Sequence, residues 1–121
     1  MGLSEAVAKA VEPLTRVPGV QHVVVAGAGG LPLYSNVADK ELEERMAAVA
    51  AVLAEVGSSA LGDLEKRGLD IVNLVAADGS GALVTTLGGG IYLAVVYSRD
   101  ARLGTLLYTL RAVRRALLQR Q

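Results

Sequence analysis

Val23, Val24 and Val25 follow one another inside Gln21–Ser35 (QHVVVAGAGGLPLYS) with no polar residue between them. A strand there turns an apolar side chain to both faces of its sheet, so both faces need cover. That requirement predicts a sheet held between two layers of helix. Gly27, Ala28, Gly29 and Gly30 follow as a turn where positive φ costs little, and Pro32 lacks the amide donor that an interior strand needs. The returning strand is therefore expected at an edge of the sheet and the valine strand in its middle.

The rest of the chain supplies the cover. Ser4 is placed to cap a first helix in which Val7, Ala10, Val11 and Leu14 recur at helical spacing until Val17-Pro18-Gly19. Beyond the hairpin, Asn36 or Asp39 is expected to cap helix two. Its predicted stripe is Leu42, Met46, Val49, Leu53, Val56 and Ala60, with Glu43, Glu44 and Glu55 off it. Gly57, Ser58, Ser59 and Gly62 weaken its second half but let another backbone approach, which predicts helix–helix packing there.

Leu69, Ile71 and the apolar positions to Ala77 read as strand three, interrupted by Asp70 and Asn73; Asp78-Gly79-Ser80-Gly81 is a tight-turn sequence. Strand four is Ala82–Leu87, Gly88–Gly90 turn the chain, and Ile91–Tyr97 is a second continuously apolar strand. Ser98 or Asp100 is expected to cap helix three. There Leu103, Leu106, Leu107, Leu110, Val113 and Leu117 share one face, with Arg102, Arg111, Arg114 and Arg115 largely off it.

Strands one and five are the most apolar and satisfy double-sided burial best as neighbours, which gives the order 2-1-5-4-3. The expected fold is α+β: one domain over residues 1–121, an antiparallel five-stranded sheet with helix two on one face and helices one and three on the other. Strand two is guarded by Pro32. Strand three forms the opposite edge with no proline to block pairing with another chain, and is the expected dimer seam. Composition points the same way, because 52% of the residues are hydrophobic and only four, all Tyr, are aromatic. So aliphatic a small domain is expected to cover part of its apolar surface with another subunit.

Twelve basic and twelve acidic residues cancel, leaving no overall field to draw in nucleic acid or an anionic membrane. They are unevenly placed. Asp39 to Arg67 holds seven acids against four bases, whereas Arg99 to the end holds six arginines against Asp100. Two surfaces of opposite charge are expected. With no cysteine, disulfides, thiolate catalysis and cysteine-ligated zinc are excluded. No uninterrupted apolar run reaches the ~18–20 residues of a membrane span, and no leader pattern opens the chain, so a cytoplasmic protein is expected.

No stretch carries a catalytic, cofactor or metal motif. Gly27–Gly30 leads into Leu31-Pro32-Leu33, a strand, where a phosphate loop needs a helix, and Gly88–Gly90 joins two strands without a following Lys-Ser or Lys-Thr. The sole histidine, His22, lacks the partners for a metal site or a general base and reads as a structural strand residue. The arginines of helix three, without a run of aromatics interleaved among them, read as a solvated face. Glu41, Glu43 and Glu44 suit the dipole of helix two's first turns, and also a basic patch on a partner. A small-ligand sensor using the hydroxyls of Tyr92 and Tyr97 is a competing reading.

The succession of helix, Val17-Pro18-Gly19-Val20, apolar strand, glycine-rich turn, short strand, long helix, three-stranded meander and helix resembles the roadblock family, the dynein light chain domain and its prokaryotic relatives. Further resemblance lies in Gly29-Gly30-Leu31-Pro32-Leu33, where the family usually has an Asp-Gly-Leu turn, and in Leu93-Ala94-Val95-Val96 before helix three. Ala28-Gly29-Gly30 lacks the acidic turn residue, which shapes a turn and carries no chemistry.

The resemblance implies a homodimer joined through strand three and helix two. The expected contacts are Leu69, Ile71, Asn73 and Val75, with Met46 and Leu53 from the helix. It also implies a platform for a Ras-like small GTPase. The acidic exposed face of helix two makes Glu43 and Glu44 the expected partner contacts, and the lack of any such motif leaves no cofactor or metal expected. Members of the polarity and gliding-motility branch stimulate GTP hydrolysis by repositioning the GTPase's own loops. Other members scaffold complexes or attach cargo to motors.

Overall fold

In a computed structural model, which describes residues 3–119, the valine run lies inside a five-stranded antiparallel sheet ordered β2-β1-β5-β4-β3. The strands are β1 (Val20–Ala26), β2 (Pro32–Ser35), β3 (Ile71–Val75), β4 (Gly81–Gly88) and β5 (Ile91–Tyr97), and the helices α1 (Leu3–Thr15), α2 (Lys40–Asp63) and α3 (Leu103–Leu118). Gly27–Gly30 joins β1 to β2 through one 3₁₀ turn (Ala28–Gly30), and Gly88–Gly90 joins β4 to β5 as a tight turn that begins at the last residue of β4.

The consecutive valines are sorted to opposite sides. Val23 and Val25 join Leu83, Leu93 and Val95 in a core completed by Val11 and Leu14 of α1 and by Leu106, Leu110, Val113 and Leu117 of α3. Val24 and Ala26 join Val84 and Ala94 beneath Met46, Ala47, Ala50 and Ala54 of α2. Pairing Val23 with Val95 and Val24 with Ala94 carries the alternation from β1 into β5. The sheet is thus buried on both faces, α1 and α3 on one side and α2 on the other.

Two caps differ from expectation. Helix α1 already includes Ser4, because it begins at Leu3, and what precedes it lies outside the described residues. Helix α3 starts later than Ser98 or Asp100 predicts. Its N-cap is Arg102, with no side-chain bond, because Ser98–Ala101 form a turn in which Ser98 Oγ accepts from the Asp100 amide at 3.3 Å. Of the alternatives for α2, Asp39 is the cap. Its Oδ1 accepts from the amides of Glu41 (3.0 Å) and Leu42 (3.4 Å), two of the orphan donors of the first turn. Asp39→Ala is expected to lower stability by about 1 kcal/mol, measured by urea denaturation.

Candidate protein-protein interface

The face that α2 lays on the sheet coincides only in part with the stripe that hydropathy selects, sharing Met46 and the half-buried Leu42 and Leu53. The buried residues are Met46, Ala47, Ala50, Ala51 and Ala54, while Val49, Val52 and Val56 are 46%, 56% and 60% exposed. Small side chains let the helix axis lie close over β1, and the branched ones are left outside. By length and composition α2 is apolar enough to cross a membrane. Here its alanine side is docked on a sheet, and the remaining apolarity is an exposed surface. Between α2 and the sheet runs an apolar groove of about 130 Å³, lined by Met46, Val49 and Leu53 of the helix and by Ala82, Val84, Ala94 and Val96 of β4 and β5.

Next to β4 lies β3, which among the described residues pairs with β4 alone and leaves its other edge without a ladder partner. Leu74 and Val75 are 49% and 62% exposed along it. The strand is fixed from within by Tyr97, whose hydroxyl donates to Asn73 Oδ1 at 2.7 Å, and by Thr85, whose hydroxyl donates to the Asp70 carbonyl at 2.7 Å. A Cβ on Gly57 would stand 2.7 Å from Val72 Cγ2, so this glycine brings α2 down onto β3 of its own protomer. That differs from the helix–helix contact expected of it. A rigid, open strand edge and an apolar helix face thus lie side by side on one surface.

The expected contacts fall into two groups. Leu53 lies half-buried on this surface and Met46 forms part of the groove floor. Val75, exposed at the end of the strand edge, shares the α1–α3 face of β3 with Ile71 and leaves Leu74 as the exposed β3 residue on the α2 side. Leu69 is buried beneath α2, Ile71 packs half-buried against the core on the α1–α3 side, and Asn73, though exposed, accepts the Tyr97 bond. Glu43 is half-buried and accepts a hydrogen bond from Ser35 Oγ, whereas Glu44 is exposed. His22 is a half-buried residue of β1, in register with Val96. Tyr97 is buried with its hydroxyl engaged and Tyr92 half-buried against the α2 layer.

The arginines of α3 are more structured than a solvated face. Asp70, just before β3, bridges Arg111 and Arg114 at 2.7 Å each, tying the last helix to the edge strand. Their sequence separation of over forty residues hid this pair from any pattern of local spacing.

A family model described as the Roadblock/LC7 domain matches residues 6–97. A Roadblock/LC7 domain from Streptomyces avermitilis is 25% identical with a TM-score of 0.81, covering 97% of this chain and 95% of that one. The gliding protein MglB from Thermus thermophilus is 17% identical with a TM-score of 0.84, covering 98% and 91%. An MglB crystallised in a tetrameric arrangement, also 17% identical at a TM-score of 0.84, covers 98% and 90%. No curated protein matches the sequence. The matched span runs from α1 through the whole sheet to the end of β5, and the chain belongs to the Roadblock/LC7 domain family.

Proposed function

We propose that the protein is a homodimeric, non-catalytic regulator of a Ras-like small GTPase, acting in the cytoplasm. The observation that carries this reading is the apolar outer face of α2 beside the unpaired β3 edge. Two copies joined antiparallel through β3 continue the sheet and bring their α2 helices together, which covers Val49, Leu53 and Leu74 on the α2 side while Val75 joins the edge-to-edge seam. Leu69, Ile71, Asn73 and Met46 support that seam from beneath and beside it.

The partner binds the α2 side of such a dimer. Glu43 and Glu44 lie at the acidic start of that helix, and Glu44, exposed, is the freer of the two to meet a basic surface. Hydrolysis in this reading belongs to the GTPase, whose loops the dimer repositions, so the protein requires no cofactor or nucleophile of its own. Family membership and the resemblance to gliding-motility members support the choice of partner.

The test is to mix the protein with the small GTPases encoded by the same genome, in GDP and GTP-analogue forms, and to measure binding and hydrolysis together. Binding selective for one nucleotide state, slower to form as salt rises, with faster hydrolysis is the expected result. Binding without acceleration makes the protein a scaffold, and no binding to any GTPase rejects the reading.

A further inference from the structure

The side of the sheet opposite α2 carries a second surface that the proposed function does not use. The outward positions of α3 are Gly104, Tyr108, Arg111, Arg115 and Leu118, spaced 4-3-4-3 along a line of about 20 Å at 1.5 Å per residue. Tyr108 is 78% exposed and Leu118 39%. No acidic residue occurs from Ala101 to Gln119, and Arg99 and Arg102 extend the positive charge towards the N-terminal end of the helix.

Arg111, Arg114, Arg115 and Leu118 bound a shallow hollow of about 270 Å³. Asp70 neutralises one of these three guanidinium charges and holds Arg111 and Arg114 in place. Arg115 makes no ion pair among the described residues, and Arg114 Nε is buried without a hydrogen-bond partner. Two uncompensated positive charges and most of the N–H donors of three guanidinium groups thus remain. Pre-fixed guanidinium groups bind phosphate oxygens with little further loss of side-chain entropy.

We propose that this stripe of α3 docks the protein on an anionic lipid membrane, with Arg111, Arg114 and Arg115 taking headgroup phosphates and Tyr108 and Leu118 resting at headgroup depth. A straight charged line on the outside of a domain fits a flat, fluid surface, since mobile headgroups need no complementary pocket. An exposed tyrosine beside arginines suits the boundary between headgroup and acyl chain, where one end of the ring is wet and the other is not. The hollow is too open to enclose a small soluble ligand.

The dimer of the proposed function strengthens this inference, and that part rests on it. An antiparallel β3–β3 joint about a two-fold axis normal to the sheet leaves both α3 helices on one side. The Asp70 bridge sets each arginine cluster beside the β3 edge, so the two clusters flank the axis. The GTPase side then faces away from the lipid.

The test uses the whole protein and vesicles, and no GTPase, so its outcome is separate from that of the GTPase screen. Co-sedimentation is compared between phosphatidylcholine vesicles and vesicles with about one third phosphatidylglycerol, at about 50 and about 300 mM salt. Pelleting with the anionic vesicles alone, and loss of it at the higher salt, is the expected result. Arg115→Ala, which breaks no ion pair, weakens binding about fivefold for each arginine removed, with an unchanged circular dichroism spectrum. Tyr108→Ser weakens it at constant charge. Absence of pelleting at low salt, equal pelleting with both vesicles, or full binding by Arg115→Ala overturns the proposal. So does calorimetric binding of inorganic phosphate by a protein that ignores anionic vesicles.

Discussion

Replacing Val75 by Lys is expected to turn the dimer into a monomer while leaving the protomer folded. Val75 is 62% exposed in the single chain, so a lysine there is solvated and costs the protomer little. In a β3–β3 joint the same lysine is set against the partner's edge strand, in a seam closed to water. Each buried, unpaired ammonium costs about 2 kcal/mol or more, and the symmetry applies that cost twice. The dimer constant then weakens by roughly a thousandfold, at about 1.4 kcal/mol per factor of ten. Sedimentation velocity at low micromolar concentration reads the change. Ile71→Lys is the poorer probe, because Ile71 packs against the core on the α1–α3 side and its loss injures the protomer as well.

Gly81→Ala is expected to act on the same seam from inside. Gly81 pairs with Val75 across the hairpin and with Tyr97 on its other side. A Cβ there would stand 2.1 Å from the Leu74 carbonyl oxygen and 2.6 Å from Tyr97 Oη, and neither is the free end of a flexible chain. The tyrosine is held by Asn73 and the carbonyl belongs to the edge strand. The β3–β4 hairpin must open, and stability is expected to fall by on the order of 3 kcal/mol, the range of severe steric substitutions. Dimerisation fails with it, since the seam strand no longer holds its line. Gly62→Ala, made where nothing stands within 4 Å, is the control and is expected to stabilise α2 by about 0.5–1 kcal/mol. Urea denaturation distinguishes the two.

The fold was legible because its two strongest signals were unambiguous. Val23–Val25 and Ile91–Tyr97 are apolar on both faces, which forced them to the centre, and Pro32 forced β2 to an edge; the observed order β2-β1-β5-β4-β3 follows. The inward face of α2 was legible only at Leu42, Met46 and Leu53, and the reason is physical. Hydropathy ranks valine above alanine, but contact with a flat sheet selects side chains by size, so Ala47, Ala50 and Ala54 went in and Val49, Val52 and Val56 stayed out. The resulting outer surface is the stronger half of the candidate interface. Gly57 suggests by its size a place for another helix, but it admits Val72 of the same chain. The Asp70–Arg111–Arg114 bridge joins residues that only the folded sheet brings together, and no spacing rule reaches that far.

One measurement tests the central claim, that the α2–β3 surface is a homodimer seam. Light scattering of the purified protein at low micromolar concentration gives its mass directly, with Val75→Lys run beside it. A mass twice the 12.5 kDa of the chain, falling to 12.5 kDa in the variant with an unchanged circular dichroism spectrum, is the result expected. A wild-type mass of 12.5 kDa, or a dimer that survives Val75→Lys intact, contradicts it.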